Sequence, residues 1–331
     1  MSGISARRTV SLGLQTGNDA AGYARLAAAA ESYGFDGISV FADLGFQPPA
    51  APLALIAANT TRVRIGAACQ NPILLHPVEI AGQLATLDML SGGRAYGGLA
   101  RGAWLRGFAL PAQDAVGRLS ECVAIIRAVL AGDDSGFDGS HFTVPAGFRL
   151  RFPVRRERVE LLIGTWGRRT AALAASLAVD EVKVGGTANP DMVRLMRTWL
   201  GPDVGLVAGA VTVCDADSAA ARTHARREVA IYLDVVAGLD PTVRVPPDEL
   251  TRMRDRLRVG DVAGAAASIG NQTLSRFAFA GTPDEIADQA NALYAAGATR
   301  IEFGTPHGIE PLHGLALLGQ RTLPALNRAD R

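Results

Sequence analysis

The sequence of 331 residues has almost no net charge and almost no lysine. Its 33 basic and 32 acidic residues leave a formal net charge of +1, and Lys183 is the only lysine. A surface that binds nucleic acid needs clustered basic residues to neutralise phosphates. The charge balance therefore argues against nucleic acid as a partner, and we interpret the preference for arginine as compositional bias.

Cysteines and long apolar runs are also scarce. Cys69, Cys122 and Cys214 lie far apart and form no CxxC pair, so neither a zinc site nor a disulfide framework is expected. No apolar run approaches the ~20 residues that a membrane span needs. The N-terminal stretch MSGISARRTVSLGLQ lacks a separate apolar segment before a cleavage site. These absences predict a cytoplasmic protein without membrane contact.

Several motifs of common enzyme classes are missing. The sequence contains no GxxxxGK[ST], GxSxG or HExxH pattern, and GGLARG does not have the GxGxxG spacing. DSGFDG superficially matches a calcium loop, but Gly136 replaces the third-position Asp or Asn and no glutamate closes the loop. We therefore expect no bound metal, and a classical dinucleotide fold, a serine hydrolase and a zinc protease all lose support.

Short apolar runs alternate with amphipathic stretches along the whole chain. Continuous apolar runs indicate parallel strands covered on both faces. Stretches such as NPDMVRLMRTWLG begin with a capping residue followed by proline, as helices do. Eight such strand–helix repeats are typical of an α/β fold, the (β/α)8 TIM barrel, with a doubly wound sheet as the alternative. The predicted strands are 10–15, 37–42, 63–68, 95–100, 160–165, 181–186, 204–213 and 300–305.

Two regions are too long to be plain connections between these elements. Residues 132–158 read as a loop or hairpin, and residues 238–276 hold a predicted helix around PPDELTRMRDRLRVG. Such excursions are more often lids or partner-contact elements than independent domains. We predict a single domain over residues 1–331 with insertions at about these two regions.

Small residues dominate the carboxyl ends of the predicted strands, where a barrel of this type places its active site. A flat ring lies against backbone only where side chains do not lift it away, so these ends favour a planar cofactor. Tight turns, which also favour glycine, are the alternative at any single end. Helix N-termini that follow two of these ends favour a phosphate. The residues in question are Gly164, Gly167, Gly185 and Gly186, with Lys183, Arg168 and Arg169 as added cations or as solvated surface residues.

Four stretches of the sequence together resemble a known family. They are VRIGAACQ, NPILLHPVEIAGQLATLDMLSGGRAYGGLARGAW, FAGTPDEIADQ and FGTPHG. The sequence resembles the luciferase-like TIM-barrel superfamily and is most similar to the F420-dependent branch that includes methylenetetrahydromethanopterin reductase. The likeness covers most of the chain. It implies a (β/α)8 barrel with insertions that binds FMN or coenzyme F420 at the carboxyl ends of the strands.

The resemblance also implies specific cofactor positions. Many members keep a non-proline cis peptide at the end of the third strand, and the matching bond here joins Ala68 and Cys69. Cys69 is then expected to pack under the ring rather than to act as a nucleophile. Asp43, in FADLGFQPP, matches an aspartate that lies near the ring. The candidate cofactor-binding residues are Asp43, Ala68, Cys69, Gly98, Ala100, Arg101, Gly102, Thr165, Trp166, Gly167, Gly185 and Gly186.

Two positions depart from the family pattern. Leu44 replaces the catalytic histidine of F420-dependent sugar-phosphate dehydrogenases, and Gln15 replaces a glutamate of the methanopterin reductases. His307 is the preferred candidate for proton transfer, because imidazole titrates near neutrality; a structural histidine is the equal alternative. Asp43 and Gln15 complete the candidate catalytic set, with a helix cap as the alternative for Asp43. His76, which precedes a proline, is expected to be a turn or capping residue.

These observations together predict an F420-dependent oxidoreductase that transfers a hydride between reduced deazaflavin and a small organic substrate. One alternative is an FMN-dependent luciferase-like monooxygenase. The second is a non-catalytic flavin-binding protein, which the changes at Leu44 and Gln15 keep open. A homo-oligomer, either a dimer or a tetramer, is expected from the resemblance and from apolar helix faces.

Overall fold

The computed structural model describes residues 8–102, 105, 108, 110 and 113–327. The strands are β1 (Thr9–Leu14), β2 (Gly37–Val40), β3 (Arg64–Ala67), β4 (Ala95–Ala100), β5 (Phe137–Asp138), β6 (Thr143–Val144), β7 (Glu160–Gly164), β8 (Glu181–Gly185), β9 (Gly205–Cys214), β10 (Ala278–Gly281) and β11 (Arg300–His307). The helices are α1 (Ala20–Tyr33), α2 (Ala50–Ala58), α3 (Pro77–Leu90), α4 (Ala115–Leu130), α5 (Arg168–Ser176), α6 (Pro190–Leu200), α7 (Ser218–Val236), α8 (Pro247–Arg258), α9 (Val262–Ala267), α10 (Asn271–Phe277), α11 (Pro283–Ala295) and α12 (Pro311–Leu317), followed by a π-helical turn (Leu318–Thr322) and a 3-10 turn (Leu323–Ala325). None of the helices in the described part of the chain is long and apolar enough to cross a membrane.

The predicted (β/α)8 barrel is confirmed. The main sheet has the order β10-β9-β11-β1-β2-β3-β4-β7-β8, and a further pairing between β9 and β8 closes it into a ring of eight strands. Those eight strands coincide with the eight predicted from sequence, within a few residues at their ends. β10, a short extra strand that pairs with β9, was not predicted from the sequence.

The chain divides into two compact units. The N-terminal unit comprises Leu14–Glu31 and Asp36–Val182. The C-terminal unit comprises the chain from Lys183 onward, together with β1 up to Gly13 and with Ser32–Phe35.

In the N-terminal unit, β2, β3, β4 and β7 pair in parallel, with Ile38 opposite Ile65 and Gly98 opposite Leu162. Helix α3 shows why the sequence between β3 and β4 folds as it does. His76 is its N-cap and accepts a hydrogen bond from the Val78 N–H, and Pro77 occupies the first helical position. The capping role expected for His76 is therefore confirmed.

The first insertion, 132–158, contains the short hairpin β5–β6. Glu121, on α4, holds this hairpin because its carboxylate accepts hydrogen bonds from the successive N–H groups of Ser140, His141 and Phe142. The second insertion, 238–276, contains α8, α9 and most of α10, and α8 is the helix predicted around residues 246–260.

In the C-terminal unit, β1 pairs with β11, which places Leu12 opposite Phe303, and β11 pairs with β9. Lys183 on β8 forms an ion pair with Glu302 on β11, and both side chains are buried. Because β9 lies between β8 and β11 in the sheet, this ion pair spans β9. The prediction that Lys183 is a phosphate-binding or surface cation is thus wrong, because its ammonium group is buried and already neutralises a carboxylate.

Candidate active site

Two of the predicted catalytic side chains meet just beyond β1 and β2. The Phe41 N–H donates to the Leu14 oxygen at 2.9 Å, which extends the strand pairing past the end of β2. Next to this bond, Gln15 Nε2 donates to Asp43 Oδ2 at 3.2 Å, and both side chains are half-buried. The amide of Gln15 therefore orients the carboxylate of Asp43.

The end of β3 carries the expected non-proline cis peptide bond between Ala68 and Cys69. The Ala68 N–H still donates to the Val40 oxygen at 2.8 Å, and the Gln70 N–H donates to the Gly98 oxygen at 2.8 Å. The chain therefore leaves the ladder at Cys69 and returns to pair with β4 at Gln70, as the bulge implied by the resemblance requires.

Gly98 is small because of this bulge. A Cβ at Gly98 would collide with the carbonyl oxygen of Ala67, on the neighbouring strand. The glycine therefore permits close contact between β3 and β4. Strand packing is thus sufficient to explain the glycine, and contact between Gly98 and a cofactor stays a prediction.

Small side chains continue from β3 across β4 to β7. A Cβ at Gly164 would lie 2.9 Å from Cys69 Sγ and 3.4 Å from Ala100 Cβ, so these three residues pack together. Cys69, Ala100 and Gly164 are all half-buried. The strand ends therefore form a row of small groups, and the packing of Cys69 under a ring stays a prediction.

Arg101 and Gly102 follow β4 directly. Gly102 has a φ of +85°, and a Cβ there would collide with the side chain of Asn71. Glycine is thus required by the backbone conformation at this position. Arg101 is exposed beside it.

The turn between β7 and α5 leaves the beginning of a helix accessible. Thr165 Oγ1 accepts a hydrogen bond from the Gly167 N–H at 3.0 Å, and Trp166 is half-buried. Gly167 is the N-cap of α5 and has no side chain to cap the first amides, and Arg168 and Arg169 are exposed beside it. A helix start of this kind attracts anions through its unpaired N–H groups and its partial positive charge.

The turn after β8 does not have this property. The N–H groups of Gly186 and Thr187 both donate to the Gly209 oxygen, at 2.6 and 2.9 Å. Val236 Cγ1 lies 3.2 Å from the position that a Cβ at Gly186 would take. The Gly186 amide is therefore already bonded and Val236 covers that side of the residue, whereas the cofactor contact of the Gly185–Gly186 turn stays a prediction.

His307 lies in the C-terminal unit and is only 2% exposed. Its Nε2 donates to the Gly13 oxygen at 3.0 Å. Burial lowers the pKa of His307 to about 4, although hydrogen bonds to backbone carbonyls act in the opposite direction. The imidazole is thus neutral at physiological pH and bound to the backbone, which favours the structural alternative over proton transfer.

Tyr23 and Gln47 were not predicted as site residues from the sequence. Tyr23 is buried in α1, and its hydroxyl donates to Gln47 Oε1 at 3.0 Å. The only sequence signal was the position of Gln47, four residues after Asp43. In the described ranges, no group of three or more His, Cys, Asp or Glu residues is arranged to hold a metal ion.

Comparisons with known proteins agree with this fold. The 5,10-methylenetetrahydromethanopterin reductase of Archaeoglobus fulgidus is 28% identical over 293 residues, which cover 83% of this chain and 86% of the relative. The solved structure of the coenzyme F420-dependent tetrahydromethanopterin reductase from Methanopyrus kandleri matches with a TM-score of 0.89 at 20% identity, covering 97% of this chain and 100% of that one. The oxygenating constituent of 3,6-diketocamphane monooxygenase from Pseudomonas putida, solved with FMN, matches with a TM-score of 0.70 at 13% identity, covering 98% and 100%. A family model described as luciferase-like monooxygenase matches residues 1–300, and the chain therefore belongs to the luciferase-like monooxygenase family.

Proposed function

We propose that this protein is an F420-dependent oxidoreductase that transfers a hydride between reduced deazaflavin and a small organic substrate. The likeness to methylenetetrahydromethanopterin reductases along most of the chain supports this assignment. The matching Methanopyrus kandleri enzyme depends on coenzyme F420, which is consistent with this assignment.

One observation carries the proposal: a row of small, half-buried groups lies between a polar pair and the start of a helix. Cys69, Ala100 and Gly164 form this row in the N-terminal unit. Asp43, bonded to Gln15, follows β2, the neighbour of β3, while α5 begins just after β7. These features fit a flat ring with a phosphate-bearing tail, because the row offers little obstruction and the helix start favours an anion.

The chemistry divides between cofactor and protein. Bound F420 would supply the hydride acceptor or donor. Ala68, Cys69, Ala100, Arg101, Gly102, Thr165 and Trp166 are the residues that we propose to surround it, with Gly167, Arg168 and Arg169 at its phosphate. Asp43 would hold or accept a proton at its carboxylate, and Gln15 would keep that carboxylate oriented. We assign His307 a positioning role, because its ring is buried and bonded to the backbone.

Separate titrations of the purified protein with F420 and with FMN test the cofactor assignment. We expect saturable F420 binding that weakens about tenfold when Arg168 and Arg169 are both replaced by alanine. Arg25→Ala, at an exposed arginine on α1, is the matched control and should leave the affinity unchanged. Tight FMN binding without measurable F420 affinity would instead support the monooxygenase alternative. Reduced flavin reacts with oxygen, whereas a deazaflavin does not.

Turnover separates an enzyme from a non-catalytic flavin-binding protein. A panel of small carbonyl, alcohol and enone substrates with reduced or oxidised F420 should give a steady change in F420 absorbance. Binding without turnover across the panel would favour the non-catalytic interpretation.

We also propose that the protein forms a homo-oligomer. A groove of about 420 Å³ lies between α2 and α3 in the N-terminal unit, and Phe148, Leu150 and Phe152 contribute to its lining. Leu90, at its edge, is 52% exposed, and the adjacent Met89 is 45% exposed. Apolar side chains this exposed favour burial against another surface, and a second copy of this chain is the occupant that we propose.

We also propose a single-domain organisation and a cytoplasmic location. A single domain with insertions at 132–158 and 238–276 is supported by the main-sheet strands that flank each insertion. We infer a cytoplasmic location because Cys69, Cys122 and Cys214 form no disulfide bond, as suits a reducing compartment.

A further inference from the structure

The loops that follow β1 and β2 are joined through one glutamine side chain. Gln47 Oε1 accepts a hydrogen bond from the Gly17 N–H at 3.1 Å and another from the Tyr23 hydroxyl at 3.0 Å. The Gly17 N–H also points to the Tyr23 oxygen at 3.1 Å. Because Tyr23 is only 2% exposed, it is a fixed point of α1 to which both loops are tied.

A tight turn connects Gln47 to Asp43. The Phe46 N–H donates to the Asp43 oxygen at 3.2 Å, and Gly45 has a φ of +90°. A positive φ at the third position is the mark of a type II turn and explains the glycine. Asp43 is therefore the first residue of the turn, and Gln47 is the residue immediately after it.

The turn is thus restrained at both ends. At its start, Gln15 Nε2 bonds the Asp43 side chain at 3.2 Å. At its end, Gln47 bonds the loop after β1, on which Gln15 itself lies. A Cβ at Gly45 would meet nothing within 4 Å, so packing at that point adds little restraint. Loss of the Gln47 contacts would leave the turn free to pivot about Asp43.

We propose that Gln47 is a positioning residue that fixes the Asp43 carboxylate and its Gln15 partner relative to the cofactor ring. The part of this inference that concerns the ring rests on the proposed function, whereas the coupling of the two loops does not. Small displacements of groups next to a reacting centre have large effects, so a residue outside the reaction controls the site through this contact.

The first test measures F420 affinity in a double-mutant cycle. Gln47→Ala removes the acceptor and should weaken F420 binding about tenfold, as expected for the loss of two hydrogen bonds that hold a site. Gln47→Glu keeps an acceptor for both donors and should restore most of the affinity. In an Asp43→Ala background, Gln47→Ala should have little further effect, because Gln47 acts through Asp43. Additive losses in the cycle would overturn the inference, because they would mean that Gln47 acts independently of Asp43.

The second test needs no cofactor. Amide hydrogen exchange followed by mass spectrometry should show faster exchange in residues 15–19 and 41–47 of Gln47→Ala, and wild-type rates in Gln47→Glu. Gln272→Ala, at an exposed glutamine of the C-terminal unit, is the control and should change neither segment. If Gln47→Ala leaves both segments unchanged, the inference is wrong whatever the protein binds. If exchange rises but wild-type protein binds no F420, the loop coupling stands and the proposed function fails.

Discussion

Two contacts fix the position of Asp43. Its carboxylate accepts a hydrogen bond from the Gln15 amide, and its backbone carbonyl begins the turn that ends before Gln47. A carboxylate at position 15 would compete with Asp43 for protons, because like charges at hydrogen-bond distance disfavour joint ionisation. The amide removes this competition. Gln15 therefore works as an orienting partner, and Asp43 is the acidic member of the pair.

His307 gives a prediction about stability and pH. Its pKa is lowered by burial from about 6.5, the unfolded value, to about 4 in the folded protein. Between these values the unfolded chain binds the extra proton and the folded chain does not, so stability falls as pH drops from about 6.5 to about 4. The full effect of this one group is on the order of 3 kcal/mol. Chemical denaturation at a series of pH values should therefore show a steeper loss in wild type than in His307→Gln.

The matched control for this experiment is His313→Gln, at an exposed histidine of α12. It should keep the wild-type pH dependence, because it leaves the buried imidazole of His307 in place. If His307→Gln and wild type lose stability in parallel over this range, the buried neutral imidazole is not the cause.

The sequence predicted some site residues better than others for a physical reason. Asp43, Ala68 and Cys69 lie at strand ends within a recognisable motif, so their positions followed from the pattern and the cis bond from the resemblance. By contrast, Gly98 and His307 each lie against a backbone carbonyl of another strand. Contacts of that kind join residues distant in sequence, and no local pattern encodes them.

At the level of elements, the buried ion pair between Lys183 and Glu302 links β8 and β11 across β9. Ser11 on β1 adds a hydrogen bond to Glu302 at 3.4 Å. Removal of one partner from a buried pair leaves an uncompensated charge, which typically costs about 3–5 kcal/mol. We therefore expect Lys183→Met to lower the free energy of unfolding by that amount in urea denaturation.

Two variants make this result interpretable. Lys183→Met combined with Glu302→Leu should recover much of the stability, because no charge is then buried alone. Arg194→Met breaks an exposed pair with Asp191 on α6 and should cost no more than about 1 kcal/mol. A Lys183→Met variant as stable as Arg194→Met would contradict the buried pair.

The elements were predictable where their pattern was long and continuous. All eight barrel strands are apolar runs of the kind that parallel sheets bury on both faces, and α6 and α11 begin with a capping residue and proline, as predicted. β10 is a four-residue run, AFAG, and β5 and β6 have two residues each. Runs this short show no hydrophobic periodicity, so the sequence does not predict them as strands, and their pairing depends on the neighbouring strand.

At the level of the whole molecule, the fold and the family can be predicted from the sequence, whereas the substrate cannot. Family members share the barrel, and unrelated chemistries recur on one fold because the loops at the strand ends vary. The chain has Leu44 and Gln15 at positions where the resemblance implies a histidine or a glutamate in F420-dependent enzymes. The substrate therefore has to be found by turnover assays rather than inferred from the barrel.

The oligomeric state can be tested through the groove between α2 and α3. We expect light scattering coupled to size-exclusion chromatography to give the mass of a dimer or tetramer at micromolar concentration. Leu90→Glu places a charge at the edge of the groove and should shift the equilibrium toward monomer, because an unpaired charge is costly in an apolar interface. Leu312→Glu is the matched control, since Leu312 is 49% exposed but lies on α12. A monomeric wild type would refute the oligomer, and equal masses for wild type and both variants would place the interface elsewhere on the molecule.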